Sequence, residues 1–264
     1  METVSVIVTC YNKGKYIRET LDSIRSQTYP NIEIIVIDDC STDPFTIKTM
    51  QSLSETGIKT LLLSENIGVS AARNLGIRSC TGSYILIMDG DDTITPDFID
   101  EAVQVFSERP EIGIVSSQVR LFGLKKGKMN LLEPTLENTI AQNTMVISSI
   151  FRKELFQRTG GFNTDMKEGF EDWDFWLSMM EHDVRIHTLP KAHFNYRITA
   201  NSRNHLSENE LKTLRRRIYD NHRKLYAENF MDPRLTFEYQ LLKNSREYRI
   251  GSIVMGILKK LRIA

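Results

Sequence analysis

The stretch SYILIMDGDDTIT, residues 83–95, decides the reading of this chain. An apolar run, residues 84–88, ends abruptly in Asp89, Gly90, Asp91 and Asp92. Such a run suits a strand buried on both faces. The three carboxylates behind it repel one another and cost stability unless positive charge sits among them. Hard oxygen ligands suit Mg²⁺ or Mn²⁺, which commonly keep bonds to substrate phosphates. A turn and helix-cap cluster ahead of TPDF is the plainer alternative, and it accounts for one aspartate better than for three. A third reading takes DGDDT as the strand-then-DxDxT signature of haloacid-dehalogenase-type phosphatases, with Asp89 as nucleophile. That chemistry also wants an early strand and a second acidic pair after another strand. The sequence offers only Glu171 and Asp172, which no strand precedes.

Upstream, strands and helices alternate. VSVIVTC is a buried strand, and Ile17, Leu21 and Ile24 recur at helical spacing after it. IEIIVIDD and IKTLLLS read as further strands; residues 44–55 and VSAARNLGIRS read as helices, and Pro96 opens another. This alternation predicts an α/β fold with a mostly parallel, doubly wound sheet, whose ligands collect at the carboxyl ends of the strands. The polar clusters at residues 9–12, 38–43, 65–68 and 89–93 fall at those ends. On that rim Tyr11 can stack on a base, and Thr9, Asn12 and Asn66 offer hydrogen bonds. Asp39 can accept from a base or ribose, and Arg73 can reach ribose or phosphate. Past residue 113 the pattern turns irregular until EDWDFWLSMMEH. There Glu171 and Asp172 begin a helix and either satisfy its dipole or supply a general base.

The 264 residues, 41% hydrophobic, can bury one large core. Net charge is zero, which gives no sign of nucleic-acid binding, but it hides an asymmetry. Residues 203–264 carry 14 Lys/Arg against 7 Asp/Glu, so the body is acidic and the tail basic. Cys10, Cys40 and Cys80 have no CxxC spacing and read as reduced thiols of a cytosolic protein. No apolar run approaches the ~20 residues of a spanning helix, and the first residues do not read as a signal peptide. The expected location is cytoplasmic, or peripheral at the inner face of a membrane. The last segment places Ile250, Ile253, Val254, Ile257, Leu258 and Leu261 on one helical face. That face suits a lipid surface, a second subunit, or packing on Leu211, Leu214 and Leu241.

Four blocks together resemble family 2 glycosyltransferases, inverting enzymes with the GT-A fold. They are VSVIVTCYNKGKYIRETLDSIRSQTYPNIEIIVIDDCSTD, ENIGVSAARNLGI, YILIMDGDDTITPDF, and FRKELFQRTGGFN followed by EGFEDWDFWLSM. The resemblance implies a catalytic domain over residues 1–203, with a nucleotide-binding half at 1–112 and an acceptor half at 113–203. A basic helical extension, 204–264, follows. It implies a nucleotide-sugar donor, with UDP as the expected leaving group and Thr9, Tyr11, Asp39 and Arg73 on the nucleoside. Asp89-Gly90-Asp91 matches the DxD motif, with Asp91 the leading ligand of Mn²⁺ or Mg²⁺ and Asp92 on metal or ribose. Asp172 matches the base, while Glu171, Trp173 and Gly161 serve acceptor binding or support. Relatives carry a histidine soon after YR; here Thr199 takes that place, leaving His193 and His205 as candidates for a third metal ligand. The acceptor would be a saccharide or lipid-linked saccharide, in bacterial surface polysaccharide or glycoconjugate assembly. A non-catalytic sugar-nucleotide binder and a partner-docking protein are the alternatives.

Overall fold

The computed structural model describes residues 1–199 and 208–260. Its first half follows the alternation: β1 (Val4–Cys10), α1 (Ile17–Arg25), β2 (Ile32–Asp38), α2 (Pro44–Ser54), β3 (Lys59–Leu62), α3 (Val69–Ser79) and β4 (Tyr84–Asp89). Local chemistry sets these bounds. Asp43 caps α2 by accepting from the Thr46 N–H at 2.8 Å, and Pro44 takes the first turn, where no donor is needed. Gly76 lets α3 lie close on the sheet, because a Cβ there would come within 2.3 Å of Ile7 Cγ2.

β5 (Thr93–Ile94) and α4 (Phe98–Glu108) follow. The helix begins two residues after Pro96, because Pro96 belongs to a turn. Its carbonyl accepts from the Thr28 N–H at 2.8 Å, while Thr95 Oγ1 donates to Asp97 at 2.7 Å. Then come β6 (Ile112–Gly123), β7 (Gly127–Met129), α5 (Leu136–Ala141), β8 (Ile150–Arg152), α6 (Lys153–Thr159), α7 (Glu171–Met180) and β9 (Arg185–Ile198). The region that looked irregular therefore opens with β6, one of the two longest strands among the described residues, and the other, β9, follows α7. Their mixed polar faces and Pro190 hide them. Pairing jumps from Ser117↔Leu189 to Gln118↔Ala192, and the bulge between takes in Pro190, which has no N–H for the ladder.

The sheet order is β3-β2-β1-β4-β8-β6-β9-β5, with β7 on β6. β3, β2, β1 and β4 run parallel, and β8 is antiparallel to both β4 and β6. Apolar cores cover both faces, one against α1 and α4, the other against α3, α6 and α7. β1 and β4 pair in register as far as Thr9↔Asp89, so their polar ends meet at one rim.

The chain continues with α8 (Glu208–Asn221), α9 (Arg223–Glu228), a 3₁₀ turn at Pro233–Leu235, α10 (Phe237–Asn244) and α11 (Arg246–Lys260). Leu214, Ile218 and Leu225 pack with Trp173, Leu177 and Ile140 in a third core. The apolar stripe of α11 does not join it. Leu214 is buried, whereas Leu241 and Ile253 are 62% and 65% exposed, so packing of the stripe on preceding helices is not observed. Leu261 lies outside the described residues. Among the described residues, no helix is long and apolar enough to cross a membrane.

Candidate active site

The rim is organised by buried charge. Arg73, on α3, is 2% exposed. Its Nη2 donates to Asp89 Oδ1 at 3.0 Å and its Nη1 to Glu171 Oε1 at 3.1 Å. Burial alone would depress the guanidinium; the carboxylates of Asp89 and Glu171 more than offset it and hold it charged. One cation thus ties the end of β4 to the start of α7. Thr9 Oγ1 donates to the same Asp89 oxygen at 3.2 Å. Both terminal nitrogens of Arg73 are thereby engaged by carboxylates, whereas the sequence pointed it at ribose or phosphate.

Lys13 answers the other half of the charge problem by donating its ammonium to Asp91. Even so, burial and then the Asp89 charge leave a net upward shift at Asp91 against the pull of Lys13. Asp92 lies well above the carboxylate range, through burial first and then Asp89 and Asp91. Asp89 and Asp91 stand on one turn at the end of β4, where Asp91 already draws the Lys13 ammonium, and hard oxygen donors so placed fit a divalent cation.

Asp92 itself faces inward. It is 2% exposed, and its Oδ1 accepts from the Arg197 N–H at 2.7 Å, bracing β9 against the turn. One oxygen of the residue expected on ribose or metal is thus used to brace the rim. Arg197 adds a bond from Nε to the Asp91 carbonyl at 2.6 Å and lies over the rings of Tyr16 and Phe122.

On the nucleoside side, Tyr11 is 41% exposed and presents its ring at the rim. The Asp39 oxygens accept from the N–H groups of Ile67 and Gly68 at 2.8 and 3.0 Å, and each keeps further lone pairs. Asn66 Nδ2 donates to the Asp39 carbonyl at 2.9 Å, fixing the same loop. Asn12 is engaged within the protein. Its Oδ1 accepts from the Thr42 and Asp43 N–H groups at 2.9 Å and its Nδ2 donates to Thr42 Oγ1, so it staples two rim loops together.

Asp172 stands in the first turn of α7. Oδ2 accepts from Asn143 Nδ2 at 2.9 Å and Oδ1 from the Trp173 N–H at 2.8 Å. Burial, reinforced by the neighbouring Glu171, pushes its pKa up to about 7 against the pull of Arg73 and these donors. A carboxylate so placed can exchange a proton near neutrality. Trp173 is 2% exposed and donates Nε1–H to the Thr139 carbonyl at 2.6 Å, so it supports the site from the core. Gly161 also supports. At φ +94° its Cβ would meet Asn74 Oδ1 at 2.6 Å, and that oxygen accepts the Phe162 N–H.

His193 is not at the carboxylate rim. It is wholly buried, with Nδ1 2.7 Å from Thr95 Oγ1 and Nε2 3.1 Å from Glu101. With Asp97 and Glu101 it forms a separate cluster of possible metal ligands, in which Lys191 pairs with both carboxylates and offsets one of their two charges. The alternation of side chains along β9 turns it toward α4, and Phe98 stacks on its ring. His205 lies outside the described residues.

Lys13 and Asn143 escaped the sequence reading. Lys13 stands in YNKGKY, two residues past Tyr11, so its place on the rim was the available signal. Asn143 lies in a stretch without periodicity, 29 residues from its partner, and nothing local marks it. Asp174, 3% exposed, is bonded by Asn221 Nδ2 at 2.6 Å, and the His222 ring lies 3.3 Å from it, pinning α7 to the C-terminal helices.

The family model described as glycosyl transferase family 2 matches residues 5–182, and the chain belongs to that family. An uncharacterized glycosyltransferase of Haemophilus influenzae is 26% identical over 186 residues, covering 67% of this chain and 62% of that protein's length. Glycosyltransferase GlyG of Streptococcus pneumoniae is 38% identical over 109 residues, 41% of this chain and 36% of the relative. S. aureus TarS 1-349, solved in complex with UDP-GlcNAc, has a TM-score of 0.71 at 22% identity, over 93% of this chain and 74% of that one. The mannosyltransferase PcManGT from Pyrobaculum calidifontis, solved with GDP-Man and Mn²⁺, has a TM-score of 0.60 at 21% identity, over 98% and 88%. At these identities the structures establish the shared fold. The aspartyl-phosphate reading of Asp89 is not favoured beside a family match that spans most of the sheet.

Proposed function

We propose that this family 2 glycosyltransferase moves a sugar from a nucleotide sugar, with UDP as the leaving nucleotide, to a hydroxyl of a saccharide or lipid-linked saccharide. The observation that carries the reading is the Arg73 bridge. It links Asp89, in the carboxylate cluster that suits a diphosphate and its cation, to Glu171, the neighbour of Asp172. Donor chemistry and proton acceptance are thereby brought within one side chain of each other. Solved neighbours described with UDP-GlcNAc or GDP-Man support a nucleotide sugar as donor.

In this mechanism Tyr11 stacks on the base, while Asp39 accepts from base or ribose. Asp89 and Asp91 hold Mn²⁺ or Mg²⁺, which when bound supplies a Lewis acid for the leaving diphosphate. Lys13, released from Asp91, turns its ammonium toward phosphate oxygen. Asp172 takes the proton of the acceptor hydroxyl as that oxygen bonds to the anomeric carbon. The carbon–oxygen bond to the diphosphate breaks with its electron pair, so one displacement inverts the centre. Asn143 keeps the Asp172 carboxylate in position and Arg73 holds Glu171 away from competing for the proton.

Release of UDP from UDP-sugars, measured with and without a saccharide acceptor, tests the reading. Turnover that rises with acceptor and collapses in Asp172→Asn supports it. Tight donor binding without turnover in any acceptor panel would leave a sugar-nucleotide binder instead.

A further inference from the structure

Helix α11 inverts the burial pattern of the rest of the chain. Tyr248, Ile250, Ile253, Val254, Met255 and Ile257 are 45–65% exposed. Phe237, Leu241 and Leu242 of α10 are 51–62% exposed, and no α10 side chain is buried among the described residues. A helix of 15 residues is marginal in water without packing, and Gly251 and Gly256 weaken it further. A covering surface is therefore needed.

Charge identifies that surface. Between positions 243 and 262 the sequence carries Lys243, Arg246, Arg249, Lys259, Lys260 and Arg262 against a single acid, Glu247. A second copy laid on this face would bring like charges together, whereas anionic headgroups would neutralise them. Ile250, Ile253, Val254 and Ile257 share one face at i, i+3, i+4 and i+7, with Arg249 on its border. Such a helix can lie in an interface with its stripe among acyl chains and its cations at headgroup depth.

We infer that α10 and α11 form a membrane foot that docks on an anionic lipid surface and selects a lipid-linked acceptor. The extension is wired to the loop ahead of the candidate base. Tyr226 OH donates to the Ile140 carbonyl at 2.7 Å, Arg215 Nη1 to that of Ala141 at 3.0 Å, and Gln142 Nε2 to that of Leu235 at 2.8 Å. The next residue, Asn143, holds Asp172. Docking thus fixes the lipid surface relative to the proton acceptor. The acceptor half of this inference rests on the transferase reading with Asp172 as base; the docking half does not.

The test is flotation of the full-length chain with neutral phosphatidylcholine vesicles and with vesicles containing phosphatidylglycerol. No catalysis enters the readout, so failure of the transferase reading and failure of docking are separable. The expected result at low salt is recovery at least ~10-fold higher on anionic vesicles, falling with added salt. Ile250→Asp/Ile253→Asp/Ile257→Asp should abolish flotation with the main thermal transition unchanged. Lys243→Gln/Arg246→Gln/Arg249→Gln should bring anionic recovery down toward the neutral level. Absence of flotation overturns the inference, as does equal recovery on neutral vesicles. So does a concentration-dependent dimer that the isoleucine variant dissolves while vesicles are ignored. For the acceptor half, turnover equal on soluble and vesicle-borne acceptor hydroxyls overturns lipid selection.

Discussion

The rim and the tail are opposites. At the rim, Arg73 is 2% exposed and carries two ion pairs, whereas in α11 Ile253 is 65% exposed and touches no core. Charge lies inside in one region and apolar surface outside in the other. Both are costly in an isolated chain, and in the readings proposed above a cation with its diphosphate would complete the rim and a lipid surface the tail. The contrast teaches where a partner would lower the cost of each region's oddity.

Arg73→Ala would break the contrast most severely. It leaves Asp89 and Glu171 half-buried without their cation, and losing one partner of a buried pair typically costs about 3–5 kcal/mol. Urea unfolding should show that loss, with turnover gone as well. An intact midpoint would mean that the rim charges are better solvated than their burial implies.

Asp172→Asn should spare the fold and cost ~10²–10⁴ in turnover, the usual effect of removing a general base. The wild-type pH profile sharpens the point. A base raised to about 7 is protonated below that pH, so kcat/KM should climb through about 7 and level above it. The sign for stability is opposite. Since the folded state holds this proton more tightly than the unfolded chain, ionisation costs stability as pH rises toward about 7. Asp172→Asn should therefore be at least as stable as wild type at pH 8, by thermal melt.

Metal loading should be smaller in energy. Mn²⁺ at 100 times its Kd would stabilise the fold by about 2.7 kcal/mol, seen as a rise in Tm that EDTA reverses. Asp91→Asn should erase that rise and EDTA-treated protein should not turn over. Full activity in chelator would remove the cation from the rim.

Ile253→Ser in α11 is the smallest. Because the side chain packs on nothing in the core, unfolding free energy should change by less than ~0.5 kcal/mol. A larger loss would show that the tail is covered within the protein itself.

The sequence alone determined the strand–helix alternation, since continuous apolar runs and period-3.6 stripes are local signals. β1 and α3 match their predicted ranges, and the rim clusters lie where the parallel order puts them. It also carried the family resemblance, because four motifs kept their order along the chain. Tertiary structure alone decided how the polar residues are spent. Asn12 and Asp92, read as ligands, make bonds that brace the rim, while Asn143 read as nothing and holds Asp172. His193 stood in the expected region but faces α4 across the sheet. β6 and β9 were hidden because polar residues interrupt the apolar pattern of both, and in β9 Pro190 and its bulge break the alternation as well. The physical reason is common to all of these. A side chain's hydrogen-bond partner is chosen by what the fold brings within about 3 Å, and for Asn143 and Arg73 that partner lies 29 and 98 residues away, beyond any local pattern.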